Sequence, residues 1–158
     1  MLILFRKRTP VGSLAVGQVA VVQGKVEPVI EMMMPGIGER CVWYDLMVES
    51  FGQGARGAGR PMWLPSRTET KFAGFVLDDG AGKVMIAAGS SEVRVSGGRK
   101  MRGPFDRSGR QRFEASLFGA GDTVRVCGVV REARKKGEQK GMLVIGPDGK
   151  KGLEIRVR

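Results

Sequence analysis

The stretch Arg40-Cys41-Val42-Trp43-Tyr44-Asp45-Leu46-Met47-Val48-Glu49 decides the fold class. In an extended chain Val42, Tyr44, Leu46 and Val48 fall on one side. Cys41, Trp43, Asp45, Met47 and Glu49 fall on the other. This period of two is the mark of a β-strand with one face against a core. Trp43 then needs cover on the second face, because a ring of that size is rarely left fully wet. The stretch is read as the central strand of the fold.

Outward from it, the rest of the 158 residues repeats the same rhythm. Glycine occurs 25 times and proline 7 times, so no uninterrupted helical pattern of four turns survives. Strands are expected at Gln18 to Val26, at Lys71 to Leu77 with a return from Lys83 to Ala87, at Ser91 to Val95, and at Asp122 to Val130. Asp78-Asp79-Gly80-Ala81-Gly82 supplies the hairpin turn between the second pair. Leu143 to Ile145 and Leu153 to Val157 are read as a last hairpin across Pro147-Asp148-Gly149. The Cys41–Glu49 strand is expected to return antiparallel to the first. Gly52 to Pro65 and Gly97 to Arg112 read as Gly/Arg-rich loops, the second mobile, and Phe113 to Phe118 as one helical turn. About eight short strands joined by turns give an all-β class: an OB-like, partly open antiparallel β-barrel with long Gly/Arg-rich loops, with a β-sandwich as the alternative. Residues 1–9 form a basic terminal stub or the edge of a membrane anchor, and 10–158 a single β domain.

The formal charge is +11, from 27 basic and 16 acidic residues. It points to an anionic partner: nucleic acid, an acidic membrane surface or an acidic protein. The chain has no histidine and only two cysteines, Cys41 and Cys127. That excludes Ser-His and Cys-His nucleophilic pairs and any four-ligand Cys/His zinc site. Both cysteines sit in apolar strand patterns, and the sequence leaves open whether they stay free thiols. Gly52-Gln53-Gly54-Ala55-Arg56-Gly57 has the spacing of a dinucleotide loop, but Gly59-Arg60-Pro61 follows where a helix is required. The adjacent Asp78 and Asp79 read as turn formers, not as a convergent carboxylate pair. No catalytic set, metal site or cofactor is expected.

The residues with a binding role in this reading are Trp43 and Trp63, as stacking platforms, with the basic groups Arg99, Lys100, Arg134, Lys135 and Lys136. Arg6, Lys7 and Arg8 follow the apolar run Met1 to Phe5 and are read as membrane-proximal. Cys41, Tyr44, Phe75, Asp79, Gly80 and Gly128 are read as structural.

Several pieces together carry a family resemblance. Gly17, Val19, Val21 and Gly24 precede Glu27-Pro28. Cys41-Val42-Trp43-Tyr44 is followed by Glu49 and Trp63. Phe75-x-Leu77-Asp78-Asp79-Gly80 leads to Gly82-Lys83-Val84. Phe113-Glu114, Leu117 and Gly121-Asp122-x-Val124-x-Val126-x-Gly128 complete the set. From about Pro10 to Val157 the pattern resembles the GIDE, or "beside a membrane" (BAM), domain. The resemblance implies a membrane-apposed, largely β domain flanked by transmembrane helices that this chain lacks. The animal relatives are the MULAN/MAPL membrane ubiquitin ligases, in which a separate RING finger does the catalysis. With two cysteines and no histidine this chain has no RING, so ligase activity does not carry over, and bacterial-type members look closer. The implied role is a non-catalytic extramembrane module that binds a protein partner or an anionic ligand at the membrane surface. An OB-type nucleic-acid-binding module is the alternative.

Overall fold

A computed structural model of the chain describes residues 7–52 and 60–158. Thirteen strands run in chain order: β1 (Val19–Pro28), β2 (Met32–Met33), β3 (Arg40–Cys41), β4 (Trp43–Gly52), β5 (Met62–Phe72), β6 (Phe75–Asp78), β7 (Lys83–Ile86), β8 (Val93–Ser96), β9 (Arg99–Pro104), β10 (Gln111–Phe118), β11 (Thr123–Glu132), β12 (Leu143–Gly146) and β13 (Leu153–Val157). Among the described residues the only helical pieces are single 3-10 turns.

Five strands close into a ring in the order β1-β6-β7-β12-β11, with β11 pairing back to β1. All its ladders are antiparallel except β7 with β12. A closed five-strand ring with this crossover defines an OB-like barrel. The parallel pair needs a long connection, and the segment between β7 and β11 provides part of it. The barrel interior is filled by side chains from every strand, among them Val22, Val26, Phe75, Leu77, Ile86, Val124, Val126 and Ile145. Alternation in β11 explains the choice: Val124, Val126, Gly128 and Val130 are buried, while Thr123, Arg125, Cys127 and Val129 are half-buried on the outer face. Gly128 is required there. A Cβ at that position would meet the Gly146 carbonyl oxygen well inside the 3.0 Å that real Cβ contacts respect.

The stretch read as the central strand lies outside this ring. β4 and β5 arise from the β1–β6 connection, and β9 and β10 from the β7–β11 connection. Together they make a second sheet in the order β5-β4-β10-β9. Tyr44, Leu46 and Val48 of β4 are buried as the alternation requires, with Phe113, Ala115 and Leu117 of β10 beside them. Their cover is not the barrel but the short β2–β3 ribbon and its turn, through Met34, Cys41 and the half-buried Met32 and Ile37. On the opposite face Trp43, Phe72 and Phe118 join the barrel core. The two sheets therefore share one aromatic junction. β1 pairs with β6 and β11 instead of β4, because the barrel strands satisfy both its edges.

Further sequence expectations are corrected. Residues 99–104 and 111–118 are strands, not a mobile loop and a helical turn, since Phe113, Ala115 and Leu117 alternate into the second core. Lys71 to Leu77 is broken at Gly74 (φ 73°), which ends β5 and starts β6. The expected last hairpin is not one. β12 and β13 lie end to end along the same edge of β11, with Gly149 and Gly152 in the left-handed region at the corner. β13 then pairs parallel with β8 and extends the sheet beyond the ring.

Of the residues read as structural, Cys41, Tyr44 and Phe75 are buried at 1%, 1% and 0% exposure. Asp79 accepts the N–H groups of Val11 (2.8 Å), Ala81 (2.9 Å) and Gly82 (2.8 Å). It thereby ties the β6–β7 turn to the 3-10 turn Val11–Ser13, whose Val11 packs into the barrel core. Gly80 takes φ 92° in that turn, a conformation L side chains rarely adopt.

Neither cysteine is in a disulfide. Burial pushes the Cys41 thiol up to about 11, whereas Cys127 is half-buried on the outer barrel face. Because the thiolate is the reactive form, iodoacetamide at neutral pH is expected to label Cys127 in the native protein and Cys41 only after denaturation. Peptide mass mapping checks this, and equal labelling of the two in the native state contradicts the burial of Cys41 between the β2–β3 ribbon and the second sheet.

Candidate anion-binding surface

The sequence-predicted binding residues do not form one cluster. Trp43 is 6% exposed, and its ring stacks on Phe118 at a centroid distance of 5.7 Å and an interplanar angle of 24°. It is a core residue and offers no face to a ligand, because the strand alternation that exposes Asp45 turns Trp43 into the barrel junction. Trp63 is half-buried near the far end of the second sheet. Phe51 tilts against it at 5.3 Å, and the Arg112 guanidinium sits 4.3 Å from its ring centroid. Arg112 also donates through Nε to Glu49 (3.0 Å), so one face of Trp63 is already occupied by an anchored cation.

Arg99 and Lys100 are exposed on β9, facing Leu117 and Ser116 of β10. Lys100 Nζ donates to Ser116 Oγ at 2.9 Å. Ser116 in turn faces Asp45, while Trp63 faces Phe51, six residues further along β4. That separation is about 20 Å at the rise of a strand. Asp45, Met47, Lys100, Arg102, Glu114 and Ser116 line a shallow depression of about 510 Å³ on this sheet, mixed in charge.

Arg134, Lys135 and Lys136 are exposed on the β11–β12 loop. One carboxylate shapes that loop. Glu138 takes both terminal nitrogens of Arg131 (2.7 and 2.6 Å) and the backbone N–H groups of Arg134 (2.8 Å) and Lys135 (3.0 Å). The three basic side chains are thus displayed by a folded turn. Arg6 lies outside the described residues. Lys7 and Arg8 are exposed, and the Thr9 N–H donates to the Val21 carbonyl (2.8 Å), laying this segment along β1.

Sequence reading missed the basic residues of the outer barrel face. Gln23 faces Arg125 across the β1–β11 ladder, and Lys25 faces Thr123. Arg125 faces Arg156 across the β11–β13 ladder, and the Arg158 N–H donates to the Thr123 carbonyl (2.8 Å). Arg125 donates through Nε (3.2 Å) and Nη2 (3.0 Å) to Gln23 Oε1. Burial, then the neighbouring Arg158, Arg8 and Arg156, hold the Arg125 guanidinium below its ordinary range. A groove of about 660 Å³ adjoins this face, lined by Arg8, Gln23, Lys25 and Thr123 and also by Glu27, Asp78 and Asp79. The signal was present in outline. Arg125 and Arg156 occupy outward positions of strands whose inward positions are apolar, but 31 residues separate them in the sequence.

Fold and surface together define an OB-like β-barrel module with a basic exterior and a second, inserted sheet. Comparison with protein-family models, curated proteins and solved structures yields no match. Among the described residues no helix is long and apolar enough to cross a membrane.

Proposed function

We propose that this chain is a non-catalytic extramembrane β module of a membrane-anchored protein that engages an anionic ligand or an acidic protein partner at the membrane surface. The observation that carries the reading is the distribution of charge. The acidic side chains are largely engaged locally: Glu27 with Lys83 (3.1 Å), Glu49 with Arg112, Glu69 with Arg67 and Lys71, and Glu138 with Arg131. Asp79 and Asp122 are engaged by backbone N–H groups. Exposed or half-buried arginines and lysines on the barrel face, β9 and the β11–β12 loop therefore display part of the +11 surplus. The likeness to the GIDE/BAM pattern supports placement beside a membrane.

Such a surface binds through long-range attraction that salt screens. Flotation with phosphatidylcholine vesicles containing phosphatidylserine is expected to retain the protein at about 50 mM salt and release it at about 500 mM. Vesicles of phosphatidylcholine alone are expected not to retain it. Absence of retention on anionic vesicles and on heparin at low salt overturns the reading.

The OB-like topology favours a second reading, a nucleic-acid-binding module. With Trp43 in the core, Trp63 and the exposed Phe51 tilted against it are what this sheet offers for base stacking. Oligonucleotide binding that quenches Trp63 emission with a steep salt slope supports this reading. Binding that leaves that emission unchanged removes its stacking component.

A further inference from the structure

One part of the basic exterior is more than diffuse charge. Arg125 and Arg156 are direct cross-strand partners, and like charges so placed destabilise a sheet. Arg8 and Arg158 add to the same spot. Among the described residues none of these four arginines is ion-paired with a carboxylate. Of the acids nearby, Asp78 stands directly opposite Lys25 and Glu154 has a buried Oε2 with no hydrogen-bond partner, but neither is ion-paired with the four arginines. Glu27 pairs with Lys83, Asp78 accepts the Gly80 N–H (2.8 Å), and Asp79 is saturated by backbone donors. Glu154 lies one row away, opposite Cys127 on one side and Arg94 on the other. Gln23 fixes the orientation of Arg125 through Nε and Nη2, which leaves its Nη1 without a protein partner among the described residues.

A half-buried, oriented guanidinium flanked by three further arginines and by Lys25 offers forked donors to several oxygens of one small anion. We propose that this face is a discrete site for a multiply charged phosphoryl group, a phosphate monoester or a pyrophosphate. The group bridges Arg125 and Arg156 and is closed in by Arg8, Lys25 and Arg158. The site rests on the anion-binding reading above but is narrower: it has one place, one stoichiometry and a preference for multiply charged phosphoryl groups. Binding relieves the cross-strand repulsion, so the vacant site costs the fold stability.

The test uses the full chain with pyrophosphate, by calorimetry and thermal melting, and heparin retention alongside. Saturable 1:1 binding with a raised melting temperature is expected. Arg156→Gln is expected to weaken pyrophosphate about ten- to a hundredfold, the loss of a charge-assisted contact, and to raise the melting temperature of the ligand-free protein. Arg107→Gln, in the exposed turn between β9 and β10, is expected to leave pyrophosphate affinity unchanged. Vesicles separate the two sources of the group. Preference for phosphatidic acid over phosphatidylserine at matched surface charge assigns a lipid headgroup, and equal retention on both assigns a soluble phosphoryl compound. Wild-type pyrophosphate affinity in Arg156→Gln, or a lowered melting temperature in that ligand-free variant, overturns the site. Heparin retention without saturable pyrophosphate binding overturns the site and leaves the broader reading standing, whereas loss of both overturns the two together.

Discussion

Phe118→Ala is expected to remove about 3–5 kcal/mol of folding stability, the range for truncating a buried aromatic residue. Phe118 ends β10 and faces Trp43 across the β4–β10 ladder. Its side chain is fully buried, stacked on Trp43 and edge-on to Phe75 at 5.7 Å. Phe75 in turn meets Phe72 edge-on at 6.0 Å. These four rings come from β4, β5, β6 and β10, and so from both sheets. Deleting one leaves a cavity that neither sheet fills alone, because each side is also held by its own ladder. Urea unfolding followed by far-UV circular dichroism gives the stability. The emission of Trp43 is expected to shift to the red in the variant as water reaches the junction. A loss below about 1 kcal/mol would mean that the barrel and the inserted sheet do not share a core.

The second large effect concerns the β11–β12 loop. The Glu138 side chain is 4% exposed and the Arg131 side chain 15%. Hydrogen bonds from Arg131 first, then from the Lys135 and Arg134 N–H groups, outweigh burial and hold the Glu138 carboxyl down at about 2, from 4.5. A carboxyl depressed on folding stabilises the fold above its unfolded pKa, and that contribution is lost as pH falls through the folded value. The drop corresponds to about 3 kcal/mol. It is expected to be fully present at pH 6 and to fade between about pH 5 and pH 2. Arg131→Ala leaves the carboxylate without its charged partner and is expected to cost about 3–5 kcal/mol at neutral pH. Glu138→Gln is expected to flatten the stability profile across the acid range. Thermal melts of wild type and Glu138→Gln from pH 7 to pH 2 check this. Parallel profiles for the two proteins would rule out Glu138 as the group responsible. Because the same carboxylate folds the turn carrying Arg134, Lys135 and Lys136, either variant is also expected to weaken vesicle retention at low salt.

Much of the fold was legible locally. In β11 the apolar residues at every second position specify which face goes inward, and Asp79 with Gly80 specifies the turn that pairs β6 with β7. These depend on neighbours in sequence. The errors came where a strand's partner lies far away. Gly97 to Arg112 reads as a loop because its outward residues are basic and its inward ones few. It becomes β9 and the start of β10 only when β4 offers an edge to β10 and β10 in turn offers one to β9. The β12–β13 segment has the turn residues of a hairpin, but the free edge of β11 takes both strands and the corner spreads them end to end. The candidate site was the least legible part. Trp43 reads equally as platform or core from its own strand, and only Phe118 on another strand decides between them.

Composition and alternation alone determined that this protein is a basic, all-β chain without histidine chemistry, because side-chain polarity and a period of two are properties of single strands. Which strands close the ring, which form the inserted sheet, and where Arg8, Arg125, Arg156 and Arg158 meet were decided by tertiary pairing. Backbone ladders are chemically alike from strand to strand. The choice among them is made by how the filled faces pack, and packing exists only in the assembled molecule.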